Sequence, residues 1–278
     1  MKEYLFHTFD RNNPNLVSII DELPLWSAPF GLELLQVVRL KRGITVLDIG
    51  RGLGFPMIEL AMRLGNSSTV FGLDPWDAAN ERVNSKIKEL NLRNVFVTKG
   101  VAEKMPFPDG YFDLLVSNNG LNNVENIRDS LAECSRVSKQ GAQFVLSYNT
   151  EHTMMEFYRI FETVLRENGL QAELRNMRSH IHSKRKPLSE MKSLLQESQF
   201  EIREFRQRSF TMHFLDGDTL FNHYLIKYWF LHAWKQIVKE EDLERIFDQV
   251  ETRINEISEK EGSFTLTVPY KVIDCRRY

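Results

Sequence analysis

Between residues 45 and 55 the chain reads Thr-Val-Leu-Asp-Ile-Gly-Arg-Gly-Leu-Gly-Phe. A short apolar run around one carboxylate, Asp48, leads into three alternate glycines, Gly50, Gly52 and Gly54. Glycine lets a backbone approach a ligand closely. A strand, a Gly-rich turn and a helix together cradle a nucleotide in doubly wound sheets. The dinucleotide fingerprint needs a last glycine where this chain has Phe55. It also rarely sets a carboxylate just before the first glycine, where an anionic pyrophosphate would lie. Asp48 instead suits a ligand that is cationic at this end and carries no phosphate, because an ammonium group wants an anion nearby.

A second carboxylate stands about 20 residues past the loop, at the end of the run Thr69–Leu73. From there Asp74 can accept from both hydroxyls of a ribose, or cap the helix behind it. Trp76 is placed to pack on an adenine or to fill a core. His180 and His182 could act as base or metal ligands. No third ligand is apparent, so no metal site is expected, and beside Lys184-Arg185-Lys186 a solvated loop is the plainer reading. That basic run could also hold an anionic acceptor. Tyr224, Tyr228, Trp229, Phe230 and Trp234 lie on a stretch that is apolar nearly all round. Such a helix is buried, covers a hydrophobic acceptor, or forms a homodimer face.

The elements that must carry these residues alternate. Strands are expected over Thr45–Ile49, Thr69–Leu73, Val95–Lys99, Phe112–Ser117 and Gln143–Tyr148. Helices are expected over Pro56–Leu64, Trp76–Leu90 and Val124–Val137. That rhythm predicts a parallel sheet. Residues 1–43 read as a helical cap, with Leu32, Leu34, Leu35, Val37, Val38 and Leu40 on one apolar face and a proline-bearing turn over Leu23–Phe30. After residue 150 the pattern predicts a helix over Glu151–Asn168 and a polar, basic stretch over 170–187. A helix with an N-cap Ser over Ser189–Ser198, a strand over Phe200–Phe214, helices over 218–260 and a last strand over Ser263–Cys275 follow. The expected organisation is one structural domain with three parts. They are the cap at 1–43, a nucleotide-binding core at 44–150 and a C-terminal half at 151–278, whose helical insertions at 151–187 and 215–260 form a lid over the acceptor.

The chain has 278 residues, 42% hydrophobic and 27% charged, as soluble globular proteins do. A net charge of −2 argues against a nucleic-acid partner bound through a broadly basic surface. Cys134 and Cys275 are too few for a disulfide framework or a zinc site, and read as reduced thiols of a cytoplasmic protein. No signal peptide and no membrane span are expected. The longest apolar run, Tyr224–Trp234, is interrupted by Lys227 and His232 and falls short of the ~20 residues a span needs.

Taken in order, four motifs resemble class I S-adenosylmethionine (SAM)-dependent methyltransferases of the small-molecule branch that methylates quinones and sterols. They are Asp48 to Gly54, the Phe-Gly-Leu-Asp-Pro segment around Asp74, Gly100-Val-Ala-Glu-Lys-Met-Pro-Phe-Pro-Asp-Gly-Tyr-Phe-Asp113, and Ser117-Asn-Asn-Gly-Leu-Asn-Asn123. The resemblance covers residues 45–150 well and the rest weakly. It implies an α/β Rossmann-like, seven-stranded, mostly parallel sheet with a reversed last strand, helices on both faces and helical insertions. It implies SAM as cofactor, S-adenosylhomocysteine (SAH) as product and a small, partly hydrophobic acceptor methylated by in-line displacement. The implied cofactor residues are Asp48, Gly50, Gly52, Gly54, Asp74, Trp76, Val101, Ala102, Glu103 and Asn118. The implied acceptor residues are Trp26, Phe30, Asn119, Asn122 and Tyr228.

Two residues depart from that family. Val101 stands where an acidic residue often takes the adenine amino group, and Arg51 stands where a small residue or Cys is common. Arg51 is expected to point outward or to hold the methionyl carboxylate, because a guanidinium near a sulfonium is unfavourable. No catalytic base is assigned; Tyr148, His180 and His182 are the weak candidates. A nicotinamide-dependent oxidoreductase, a non-catalytic SAM-binding module and a macromolecule methyltransferase remain as competing readings.

Overall fold

Short runs of β-branched and aromatic residues, buried on both faces, form the central strands. The computed structural model describes residues 2–278. It opens with α1 (Glu3–Phe6), α2 (Pro14–Glu22) and α3 (Ser27–Val37). Strand and helix then alternate through β1 (Thr45–Ile49), α4 (Met57–Leu64), β2 (Thr69–Asp74), α5 (Asp77–Glu89), β3 (Val95–Lys99), β4 (Phe112–Asn118), α6 (Ile127–Val137) and β5 (Ser138–Asn149). Next come α7 (Met155–Glu167), α8 (Gln171–Lys184), α9 (Leu188–Glu197) and β6 (Phe200–Phe214). After α10 (Gly217–Asn222), a π-helical turn over Ile226–Phe230, α11 (Leu231–Lys235) and α12 (Glu240–Glu261), the chain ends on β7 (Phe264–Arg277).

The seven strands form one sheet in the order β3-β2-β1-β4-β5-β7-β6. β1 is parallel to β2 and to β4, and the pairs β2·β3 and β4·β5 are parallel as well. β7 runs antiparallel to β5, with Phe144 opposite Cys275 and Leu146 opposite Ile273. This is the mixed sheet with a reversed last strand that the motifs imply. The strand order turns back between β1 and β4. In such sheets ligands bind beyond the carboxyl ends of the strands at that switch.

The chain divides into two compact units. One holds the residues up to Asp10, Thr150–Arg185 and Ser209–Pro269; the other holds Arg11–Asn149, Lys186–Arg208 and Tyr270–Tyr278. The expected N-terminal cap is therefore shared between the units, its residues up to Asp10 in the first and 11–43 in the second. The first unit is built on aromatic packing. Trp234 stacks on Phe157 at 3.8 Å between ring centroids and donates its indole N–H to the Tyr158 hydroxyl at 3.0 Å. The second unit buries Leu47, Ile49, Leu73, Phe112, Leu115, Phe144, Leu146 and Ile273 around the sheet. Both cysteines are free and buried.

Several local expectations are corrected. The basic stretch 170–187 is mostly helix, because α8 buries Glu173, Leu174 and Met177, a stripe too narrow to read as a period. Pro29 does not hold Leu23–Phe30 in a turn; it lies in the first turn of α3, where its missing N–H has no intrahelical acceptor to lose. Leu32 and Leu40 leave the expected apolar face and are 56% and 51% exposed. α6 begins at Ile127, where the Asn126 side chain accepts from the Arg128 and Asp129 N–H groups. α9 begins after Pro187 with no serine cap. β5 starts at Ser138, ahead of the expected Gln143, and runs through Gly141 at φ +80°. Among the described residues no helix is long and apolar enough to cross a membrane.

Candidate functional site

The glycine loop leaves the carboxyl end of β1 and folds back on the end of β2. The Gly50 N–H donates to the Leu73 carbonyl at 2.9 Å, and Gly54 N–H donates to the Arg51 carbonyl at 2.9 Å. Gly50, Gly52 and Gly54 all have positive φ. The loop is pinned from the β4 side by a contact between two backbones: a Cβ on Gly50 would meet the Gly120 Cα at 2.8 Å, and one on Gly120 would meet the Ile49 carbonyl oxygen at 2.5 Å. Ser117 locks the same spot by donating its hydroxyl to Ile49 O at 2.9 Å.

Two carboxylates converge there. Asp74 accepts the Gly52 N–H on one oxygen and the Trp76 N–H on the other, both at 2.9 Å. It ties the loop to the start of α5 and keeps lone pairs on both oxygens. Asp48 is fully buried, and neither of its carboxylate oxygens has a hydrogen-bond donor. Burial pushes its carboxyl up to about 7. Arg51 and the nearby Met57 N–H, which falls short of full hydrogen-bond geometry, favour the charged form, while Asp74 opposes it. A buried carboxylate without donors is costly unless something supplies them.

Arg51 does not point outward. It is 1% exposed and lies beneath the loop, donating to the Gly52 carbonyl at 2.8 Å and to the Asn80 side-chain oxygen. Its side chain crosses β2 at Gly72, whose Cβ, if present, would stand 2.2 Å from Arg51 Cδ and 2.1 Å from Met57 Sδ. Asp48 pairs with Gly72 in register, so the two share one face of the sheet.

The remaining candidates fall into groups. Trp76 precedes the first residue of α5 and donates its indole N–H to Asn12 at 3.1 Å. Val101 is 46% exposed and bridges to Lys104, and Ala102 is buried. The Glu103 carboxylate accepts the Glu125 and Asn126 N–H groups at 2.7 and 3.1 Å, holding the approach to α6. The same turn is fastened by Arg136, which donates to the carbonyls of Met105 and Phe107 at 3.0 and 2.8 Å.

The asparagines knit the ends of β4 and β5 together. Asn118 donates to Ser27 O and accepts from the Ser147 hydroxyl, at 3.0 and 2.8 Å. Asn119 accepts the Asn149 N–H at 3.2 Å, and Asn122 donates to the Asn149 side chain. Phe30 is fully buried between Trp26 and Tyr270, with centroids at 5.3 and 4.6 Å. Tyr148 is buried in the sheet core.

Tyr228, His180 and His182 belong to the other unit. Tyr228 packs against His7 and Phe9 at 5.8 and 4.7 Å. His180 lies on α8, facing the Tyr158 ring at 6.4 Å; burial, then Arg185 and Lys184, lower its imidazole to about 4. No group of three metal-ligating side chains occurs among the described residues. A cavity of about 350 Å³ opens at the opposite, amino-terminal edge of the strands, lined by Arg39, Asp113, Lys139 and Asp274 among others. It is not where this topology places a ligand. Sequence reasoning gave no role to Gly72, Gly120 and Asn80, whose contacts are made with residues of other segments.

The profile of the methyltransferase domain family matches residues 47–146, the span from the middle of β1 to near the end of β5. Over this span the chain is similar to a methyltransferase domain. The domain is 31% identical over 134 residues to the demethylmenaquinone methyltransferase of Listeria welshimeri, covering 48% of this chain and 57% of that protein. A Geobacillus protein of the same name is 31% identical over 129 residues, covering 46% and 55%. The chain thus spans little more than half the length of the curated relatives it matches. Solved structures share the fold. The YcgJ protein of Bacillus subtilis superimposes with a TM-score of 0.58 at 17% identity, covering 90% of this chain and 98% of that one. The geranyl diphosphate C-methyltransferase of Streptomyces coelicolor gives 0.56 at 19%, covering 100% and 88%. Arg51, packed under the glycine loop, does not take the outward placement expected of it.

Proposed function

We propose that this chain is a SAM-dependent methyltransferase whose acceptor is a small, partly hydrophobic molecule. One observation carries the reading. Both oxygens of Asp48 are buried without a donor at the end of β1, under a loop of left-handed glycines. The cofactor's ammonium group would supply that missing donor. Asp74, fixed by two backbone N–H groups, offers its remaining lone pairs to ribose hydroxyls. Gly52 faces open space and admits close approach. The residues present therefore fit the cofactor.

When bound, the cofactor supplies an already activated methyl group. The work left to the protein is alignment and water exclusion, which lower such barriers by several kcal/mol. Asp48 and Asp74 would hold the amine and the ribose of the cofactor, and Ser117, Gly50 and Gly120 hold the loop at a fixed height. The curated relatives are named for demethylmenaquinone, and the Streptomyces coelicolor neighbour for geranyl diphosphate. Prenylated and quinone-type acceptors are accordingly the class to try first. Phe55, packed against Gly31 in the place of the fingerprint glycine, speaks against the nicotinamide alternative.

Calorimetry with SAM, SAH and NAD tests the reading. SAM and SAH bind the wild type, and Asp48→Asn weakens both by 10-fold or more, about 1.4 kcal/mol. Binding of NAD alone, or equal SAH affinity in wild type and Asp48→Asn, would refute it.

A further inference from the structure

We propose that Arg51 is a resident counter-ion for Asp48, seated in the slot that Gly72 leaves open, and that it keeps the loop carboxylate charged for the cofactor amine. The inference rests on the cofactor reading above and adds a positioning residue to it.

Three observations meet here. First, a fully buried arginine lies in the cofactor loop itself, held by Gly52 O and Asn80. Second, its path depends on a residue from another strand, because any side chain at position 72 would occupy the place of Arg51 Cδ. Third, Gly72 is the register partner of Asp48, which brings the guanidinium to the same face as a carboxylate that no donor reaches. Arg51 thus gives Asp48 the positive charge, but not the hydrogen-bond donor, that the ammonium of a ligand would bring. Its fixed bonds point it at the loop backbone and α5, so it lends Asp48 charge without taking its lone pairs.

The groups facing Asp48 are few. Arg51 from the loop and the Met57 N–H from α4 favour the carboxylate, whereas Asp74 from β2 and burial favour the neutral acid. Burial outweighs the rest, so the Asp48 carboxyl stays high even with Arg51 present. Removing the cation leaves burial unopposed, and an opposite charge at this range moves a carboxyl by about one to three pH units.

The test is SAH affinity of the intact chain by calorimetry between pH 5.5 and 8.5. In the wild type, affinity climbs as pH rises through about 7 and then levels, as Asp48 ionises. In Arg51→Met the midpoint moves up by about one to three pH units, and affinity at pH 7 falls about 5-fold or more. Arg51→Lys keeps the charge and restores most of the profile. Asp48→Asn removes the step and serves as the control for titration of the ligand's own amine. Gly72→Ala, which displaces the Arg51 side chain, reproduces the Arg51→Met shift; it carries the test if Arg51→Met does not fold.

A wild-type midpoint in folded Arg51→Met, or a loss of affinity equal at every pH, overturns the proposal, the second outcome marking a merely structural role. No SAH binding by the wild type at any pH overturns instead the cofactor reading on which the proposal stands.

Discussion

Gly120→Ala should damage this protein more than its position suggests. Gly120 has φ −70°, so alanine fits the backbone there without strain. The harm is steric. The new Cβ would stand 2.5 Å from Ile49 O, 3.0 Å from Gly50 Cα and 3.0 Å from Ser117 Oγ. A carbon–oxygen contact normally lies near 3.3–3.6 Å, so β1 and β4 must part by about 0.8 Å at their carboxyl ends. Two of the three obstacles are backbone and cannot rotate away. Overpacking of this kind costs about 1–3 kcal/mol. The Ser117–Ile49 hydrogen bond, stretched by the same movement, adds about 1 kcal/mol. The total of about 2–4 kcal/mol lowers the melting temperature by roughly 4–16 °C for a domain of this size.

Ile49 follows Asp48 directly, so the displacement also moves the carboxylate that we assign to the cofactor, and a shift near 1 Å can cost about 100-fold in turnover. The matched control is Gly52→Ala. It meets open space but has φ +51°, so its cost is the left-handed backbone alone, about 1–2 kcal/mol. Scanning calorimetry with SAH titration on both variants decides the matter. Wild-type stability and affinity in Gly120→Ala would refute the idea that the two backbones set the height of the loop.

Two further outcomes follow from the same geometry. Arg136→Ala should cost about 1–3 kcal/mol by freeing the Met105 and Phe107 carbonyls. Hydrogen bonding to Arg136 holds the Glu133 carboxyl below the usual range, so its stabilising effect is complete above the unfolded value near pH 4.3 and is lost as pH falls through the lowered one. The acid limb of the wild-type stability curve should therefore be steeper than that of Arg136→Ala, and equal limbs in urea titrations at pH 3–5 would count against this. Tyr158→Phe should cost about 1–3 kcal/mol, because it leaves the fully buried indole N–H of Trp234 without its acceptor. Near-ultraviolet dichroism of the tryptophan band with thermal melts reads this, and an unchanged melt would show that the bond contributes little.

Much of the fold could be read from residues because the central strands are short apolar runs with turn signals at each end. β3 and β6 begin and end where their sequence pattern does. That the sheet is mostly parallel also followed from the alternation, since a parallel sheet needs crossovers. What escaped was whatever depends on partners distant in sequence. Nothing in Gly-Arg-Gly says that Arg51 turns inward, because the space for it is made by Gly72 in the next strand. Glu103, read as a cofactor residue through its motif, spends its carboxylate on the approach to α6. α8 was hidden by its own polarity: its basic residues point away from a thin buried stripe, and composition outweighed periodicity. In α3 a proline that would break a helix interior costs nothing in the first turn.

The end of β4 carries one more consequence, for the chemical lifetime of the protein. Asn119 is followed by Gly120, and a glycine after asparagine leaves the next backbone nitrogen free to attack the side-chain amide and form a succinimide. Here that attack is blocked. Asn119 is buried in the left-handed region, and its side-chain oxygen is held by the Asn149 N–H. The glycine that lets β1 and β4 touch therefore also creates a latent ageing site, kept dormant by the fold. Each brief opening of the ends of β4 and β5 exposes it, so slow deamidation at Asn119 acts as a clock for local unfolding beside the glycine loop.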